Sequence, residues 1–182
     1  MPSVEAARPG KCPGCGVASR PVGRRLRLHG HGTRSRQVQG PLAATVAPGI
    51  VELLLRRYLC TECGAVIVVG PRGLLGRRLY SAAAIALALA RWALLAQSAA
   101  EVRGQVSPWR VVGTAAATGW AALRRWARAL RRRQLWPQLM RGVSMDGTLR
   151  ETAGKAAVRL AALGSVPGPA WIAAFAGAAR AR

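Results

Sequence analysis

Apolar and polar positions alternate along the first part of the chain and recur with helical spacing along the rest, with the change of period near residue 71. Arg24 to His29 reads RRLRLH, which puts Leu26 and Leu28 on one face of a half-buried strand and Arg25, Arg27 and His29 on the other. Gly30 and Gly32 offer a turn, from which Thr33 to Val38 returns as the second arm of a hairpin with Arg34 and Arg36 pointing together. After the breaks at Gly40-Pro41 and Pro48-Gly49, IVELLLRRYLC at 50–60 predicts another strand and AVIVV at 65–69 a further one.

Pro71-Arg72-Gly73 ends this pattern. Tyr80 to Gln97 then predicts a central core helix, apolar nearly all round through Ile85, Leu87, Leu89, Trp92 and Leu95, with Ser81 as its N-cap. Ser98 and Glu101 fit a capping box that opens a short element ending at Gly104, and Ser107-Pro108 is a second start signal. Thr118-Gly119 breaks the chain before a helix from Trp120 to about Arg133. On a helical wheel Trp120, Leu123, Trp126, Ala127 and Leu130 cover one side, and Arg124, Arg125, Arg128, Arg131 and Arg132 fill an opposing arc of about 120°. Met145 to Leu163 predicts one more amphipathic helix beyond Pro137, and the Pro-, Gly- and Ala-containing tail from Val166 is left to packing or disorder.

The expected fold class is therefore α+β. A flexible lead-in over 1–11 precedes a small antiparallel unit over 12–70, a basic linker at 71–78, a helical domain at 79–134, and a C-terminal helix with a low-complexity tail at 135–182. The longest apolar run, Ala82 to Ala90, stops at Arg91 after about nine residues, whereas crossing a bilayer takes roughly 20. No n-region, h-region and cleavage site opens the chain, so a cytoplasmic location is expected.

Charge adds a partner to this picture. The net charge is +22, from 28 basic and six acidic residues, which points to a polyanion, with double-stranded DNA first among nucleic acids. Only Lys11 and Lys155 are lysines, and arginine is the side chain that forks onto phosphates and guanine edges. No acidic residue lies between Glu101 and Asp146, while ordinary solvated helix faces mix signs. The candidate nucleic-acid contacts are Arg124, Arg125, Arg128, Arg131 and Arg132 on the helix, and Arg25, Arg27, Arg34 and Arg36 in the hairpin.

The four cysteines fall in two CxxC pairs, Cys12/Cys15 in CPGCG and Cys60/Cys63 in CTECG. Two such knuckles complete a closed tetrahedral site for one structural Zn2+, with no position open for substrate. Gly14, Gly16 and Gly64 sit where a knuckle needs a tight turn. The segment 16–59 between the pairs is long and must be filled by a hairpin or loop. Redox chemistry would need a CxxC after a strand in a βαβ setting, and disulfides an oxidising compartment; neither context is present. His29 and His31 are weaker candidate ligands in the basic hairpin.

The order CPGCG, basic hairpin, RRYLCTECG, basic linker, VVGTAAATGWAALRRW resembles the N-terminal zinc-ribbon and helix-turn-helix region of insertion-sequence transposases, and stand-alone proteins carrying that region. The likeness covers roughly 12–133. It implies that the cysteines hold zinc and that the helix starting at Trp120 touches DNA bases. Ala116 and Ala117 depart from it, standing where many such turns have a larger apolar residue and a glycine.

No transposase catalytic domain is expected within these residues. Its chemistry needs several carboxylates around two metal ions, and after the ribbon there are only Glu101, Asp146 and Glu151. With no Walker-type loop and no nucleophile–base set, neither an enzyme nor a small-molecule substrate is expected. Two rivals to DNA binding remain: an RNA-binding ribbon protein, for which Tyr58 is the one stacking aromatic on the ribbon strands, and a protein-interaction module with compositional arginines.

Overall fold

The computed structural model describes residues 2–110 and 120–181. Among these, the chain is α+β, with a three-stranded antiparallel sheet and five helices. They form two compact units, Met1–Gln37 with Glu52–Pro71, and Val38–Val51 with Arg72–Arg182. The segment Val38–Val51, placed by sequence within the 12–70 unit, thus groups with the helices.

The sheet order is β1 (Leu28–Gly40), β2 (Gly49–Cys60), β3 (Val66–Val69). β2 and β3 pair antiparallel, with Arg56 opposite Val69 and Leu59 opposite Val66, where the alternation of 50–60 and 65–69 predicts strands. The expected turn at Gly30 and Gly32 does not form, and β1 runs through both. A tight hairpin turn of the favoured type needs two adjacent residues with φ > 0, and of Gly30, His31 and Gly32 only Gly32 takes one. A single kinked glycine is absorbed within a strand. Arg24 to Arg27 consequently precede β1 rather than forming a strand of their own.

The lead-in is tied down. The Tyr58 hydroxyl donates to the Val4 carbonyl at 2.6 Å, and Arg56 Nε donates to the Pro2 carbonyl at 2.8 Å. Glu5 pairs with both Arg8 and Arg20. Two side chains of β2 thus fix a segment that has no periodicity of its own.

In the second unit, α1 (Ala82–Leu94) is the hub. Ser81 caps it by accepting from the Ala84 amide at 3.0 Å, and Ala84 through Ala90 are fully buried on every side. α2 (Ala99–Val106) opens with the capping box of Ser98 and Glu101. It continues past Gly104, because Val102 and Val106, four apart and both buried, anchor a face worth more than the roughly 1 kcal/mol helix penalty of glycine. Ser107-Pro108 opens no helix over 107–110; the Ser107 hydroxyl instead accepts from Tyr80 Oη and from the Trp109 amide. The expected turn at 116–119, with Ala116, Ala117 and the Thr118-Gly119 break, lies outside the described residues.

α3 (Ala121–Arg131) buries Leu123, Trp126 and Leu130 as its wheel requires. α4 (Leu149–Leu163) starts at a second capping box, Thr148 with Glu151, later than the Met145 start that periodicity alone suggests. The tail contains α5 (Ala170–Gly177), whose Ala173, Ala174 and Gly177 are buried. α1, α3, α4 and α5 share one apolar cluster, so 135–181 completes the helical core rather than trailing from it. No helix among the described residues is long and apolar enough to cross a membrane.

α4 and α5 cross at backbone contact. A Cβ at Gly177 would collide with the Leu160 carbonyl oxygen and stand 2.9 Å from the Gly164 amide, neither of which is a side chain that can swing aside. Gly177→Ala should therefore cost about 1–3 kcal/mol, as overpacking of a close-packed core does, and lower the helical melting midpoint in far-UV circular dichroism. Gly76→Ala, where an added methyl meets nothing within 4 Å, should leave the midpoint unchanged.

Candidate metal centre and basic helix face

Each CxxCG segment folds into the same turn. In the first, the Gly16 amide donates to the Cys12 carbonyl at 2.9 Å and the Cys12 amide to the Val17 carbonyl at 2.8 Å. In the second, Gly64 donates to Cys60 at 2.9 Å and Cys60 to Ala65 at 3.0 Å. Gly16 and Gly64 take φ of 76° and 71°, a region costly for any side chain, which explains the glycine that follows each pair. Gly14 keeps an ordinary φ; its contribution is an amide aimed at Cys12 Sγ, 3.4 Å away.

The two turns face each other. Cys12 and Cys60 are buried, Cys15 and Cys63 exposed, and all four sulfurs lie within 4.8 Å of one another. Cys12 Sγ is 3.7 Å from Cys63 Sγ, and Cys15 Sγ is 3.8 Å from Cys60 Sγ. A tetrahedral ion with Zn–S bonds of about 2.3 Å holds its sulfurs about 3.8 Å apart. The cluster therefore has the donor set and spacing to hold one metal ion, as a single zinc requires.

Sulfurs this close cannot all ionise unaided. The Cys15 and Gly14 amides favour the Cys12 thiolate and bring its pKa down to about 7. At Cys15 the Val17 amide pulls the same way, but burial and the sulfurs of Cys63, Cys12 and Cys60 outweigh it and push the thiol up to about 12. Cys63 is also raised, against the pull of the Ala65 amide. A divalent cation is what would let all four carry charge together.

The basic residues separate into different settings. Arg124, Arg125, Arg128 and Arg131 are exposed on α3 and Arg132 at its C-cap, opposite the buried Leu123, Trp126 and Leu130. Arg131 is partly committed, since its Nη2 donates to the Gly147 carbonyl at 2.6 Å. In the first unit Arg25 and Arg34 are exposed, and Arg36 is half-buried. Arg27 braces the second knuckle: Nη1 lies 3.1 Å from the Glu62 carboxylate, and its carbonyl accepts from the Thr61 amide at 3.0 Å. His29 and His31 are exposed, outside the sulfur cluster, with His29 Nε2 2.9 Å from the Leu26 carbonyl.

Tyr58 is fully buried, so it offers no stacking surface. What the sequence reading did not find is a cleft at α3, where Trp92 of α1 and Arg150 of α4 come to lie beside Trp120, Arg124, Arg125 and Arg128. The helical period of each segment could have placed Trp92 and Arg150 on their own faces, but not opposite one another. In comparisons with protein-family models, with curated proteins and with solved structures, no match to this chain is found.

Proposed function

We propose that the chain is a non-enzymatic, zinc-containing protein that binds double-stranded DNA. Its four-cysteine unit is a zinc ribbon, and α3 is the recognition helix of a helix-turn-helix-like domain akin to those of insertion-sequence transposases. The observation that carries the DNA reading is the α3 face, where five exposed arginines share one side of a helix whose other side is buried. Arg124 to Arg131 span about 10 Å of helix axis, and the C-cap Arg132 continues the same arc. Arg25 and Arg34 add phosphate contacts, which set affinity without reading sequence.

The allocation of the carboxylates supports a binding role. Glu101 and Glu151 close capping boxes, Asp146 accepts from the Ser144 hydroxyl, Glu62 pairs with Arg27, and Glu5 with Arg8 and Arg20. Glu52 accepts from Ser35. Each acid is engaged in holding the fold, and none is drawn into a cluster for catalytic metal ions. With Tyr58 buried, the strands lack the exposed stacking aromatic that would favour an RNA reading.

Two measurements test the parts separately. Elemental analysis of protein purified without chelator should find one zinc per chain, and calorimetric titration of the metal-free protein should show proton release at neutral pH. Protons compete for the thiolates, so affinity falls as pH falls, and the metal should be lost by about pH 5. Protein with no bound metal at neutral pH would refute the ribbon. For DNA, duplex affinity should drop steeply with salt. The double variant Arg124→Gln/Arg128→Gln should lower the log–log salt slope by up to about 1.8, and the charge-matched Arg24→Gln/Arg72→Gln by less. Equal losses would assign the effect to bulk charge, and affinity absent at low salt would favour a protein-interaction module.

A further inference from the structure

The cleft at α3 combines two chemistries that a helix lying in a duplex groove does not need together. It has a volume of about 610 Å³, within the roughly 300–1,000 Å³ of ligand-sized clefts. Arg124, Arg125, Arg128 and Arg150 line it together with the indoles of Trp92 and Trp120, and no carboxylate is among the lining residues.

The indoles are set as walls. Trp120 meets Trp126 edge to face, with centroids 5.0 Å apart, and Tyr80 likewise at 5.8 Å. Tyr80 is held in turn by its hydroxyl, which donates to Ser107 Oγ at 3.1 Å. Trp92 turns a ring face toward Arg150, whose guanidinium carbon lies 5.3 Å from the ring centre. That is a loose cation–π distance, and Arg150 is an exposed side chain able to swing outward. The face of Trp92 is covered by Arg150 here and opens to a planar group when that exposed side chain swings outward, with cations round it for the charge that such a group carries.

A perfect duplex keeps its bases stacked and gives two indoles nothing to do. An unpaired nucleotide offers a π face and phosphates together, and stacking on an aromatic is the usual way such bases are held. We propose that this cleft takes an unpaired nucleotide, its base on Trp92 beside the Trp120 wall and its flanking phosphates on Arg124, Arg125, Arg128 and Arg150. The inference rests on the nucleic-acid reading above and refines its ligand: a duplex interrupted by a bulge, gap or frayed end binds more tightly than a continuous one.

The test is fluorescence anisotropy of the full chain with three labelled DNAs: a perfect duplex, the same duplex with one unpaired thymidine, and that duplex with the unpaired base removed to leave an abasic residue. The thymidine bulge should bind about tenfold tighter than the perfect duplex, the abasic bulge nearly as weakly as the duplex. The ratio of bulge to duplex affinity should fall towards one in Trp92→Ala and partly in Arg150→Gln; the exposed Arg150 keeps the test valid if the Trp92 variant misfolds. Equal affinity for all three DNAs, with salt-sensitive duplex binding intact, overturns this inference and leaves the DNA reading standing. Absence of binding to every DNA overturns both. Thymidine monophosphate binding more tightly than the bulged duplex also overturns it, assigning the cleft to a free nucleotide.

Discussion

Four sulfurs held within 4.8 Å are the constraint on which the first unit depends. Its apolar cluster consists of Cys12, Leu28 and Cys60, with Val17 and Ile67 packed against them, so two of its three buried members are also the inner pair of the sulfur cluster. A core that thin supplies little burial energy. The backbone is correspondingly over-determined at the sulfurs, where each knuckle closes two amide–carbonyl bonds and ends on a glycine of positive φ. The turns bring together four sulfurs that could hold one metal ion, and an ion bound there would couple folding of this unit to metal more tightly than its hydrophobic pattern suggests.

The helical unit obeys a different constraint. Its core is a broad apolar cluster around α1, and the small residues that make α1 helical also let its neighbours approach closely. Capping engages Glu101 and Glu151 at helix starts, where negative charge also favours the helix dipole, and Asp146 accepts from Ser144 just before α4. Hydrogen bonding from the Ser98 hydroxyl and amide holds the Glu101 carboxyl below its ordinary range, as an engaged cap should be. The one-sided charge of α3 follows, since no carboxylate is left over to mix the sign on its exposed face.

Local signals were legible wherever they sit within a few residues. The CxxC pairs, the Ser81 cap, the Ser98–Glu101 box, strands β2 and β3 and the arginine arc of α3 all follow from short-range spacing. Thr148 and Glu151 carry the same capping signal, which periodicity from Met145 obscured. The misses are long-range. β1 passes Gly32 because a turn there needed a second positive φ; the lead-in is fixed by Tyr58, more than fifty residues on. α5 has no side-chain N-cap and is decided by the Gly177 crossing on Leu160. Trp92 and Arg150 belong to different helices, and only tertiary packing brings them to one cleft.

The charge of +22 is therefore less uniform in purpose than its size suggests. Several cations of the helical unit are clamps on backbone carbonyls: Arg159 on Leu139 and Arg141, Arg180 on Leu163 at the last turn of α4, Lys155 on Ser144 and Asp146, and Arg131 on Gly147. Carbonyls at helix ends and in loops lack intrahelical partners, and a guanidinium satisfies them while favouring the negative end of the dipole. Arg159, Arg180 and Lys155 are poor candidates for a polyanion, since recruiting them would unmake bonds of the fold, whereas Arg131 is only partly committed. Arg124, Arg125 and Arg128 differ from them in kind. They stand on the exposed face of a helix whose orientation is fixed by Trp126 and Leu130, so the positions from which they project are set while each side chain stays free to turn, which is what the proposed recognition would use.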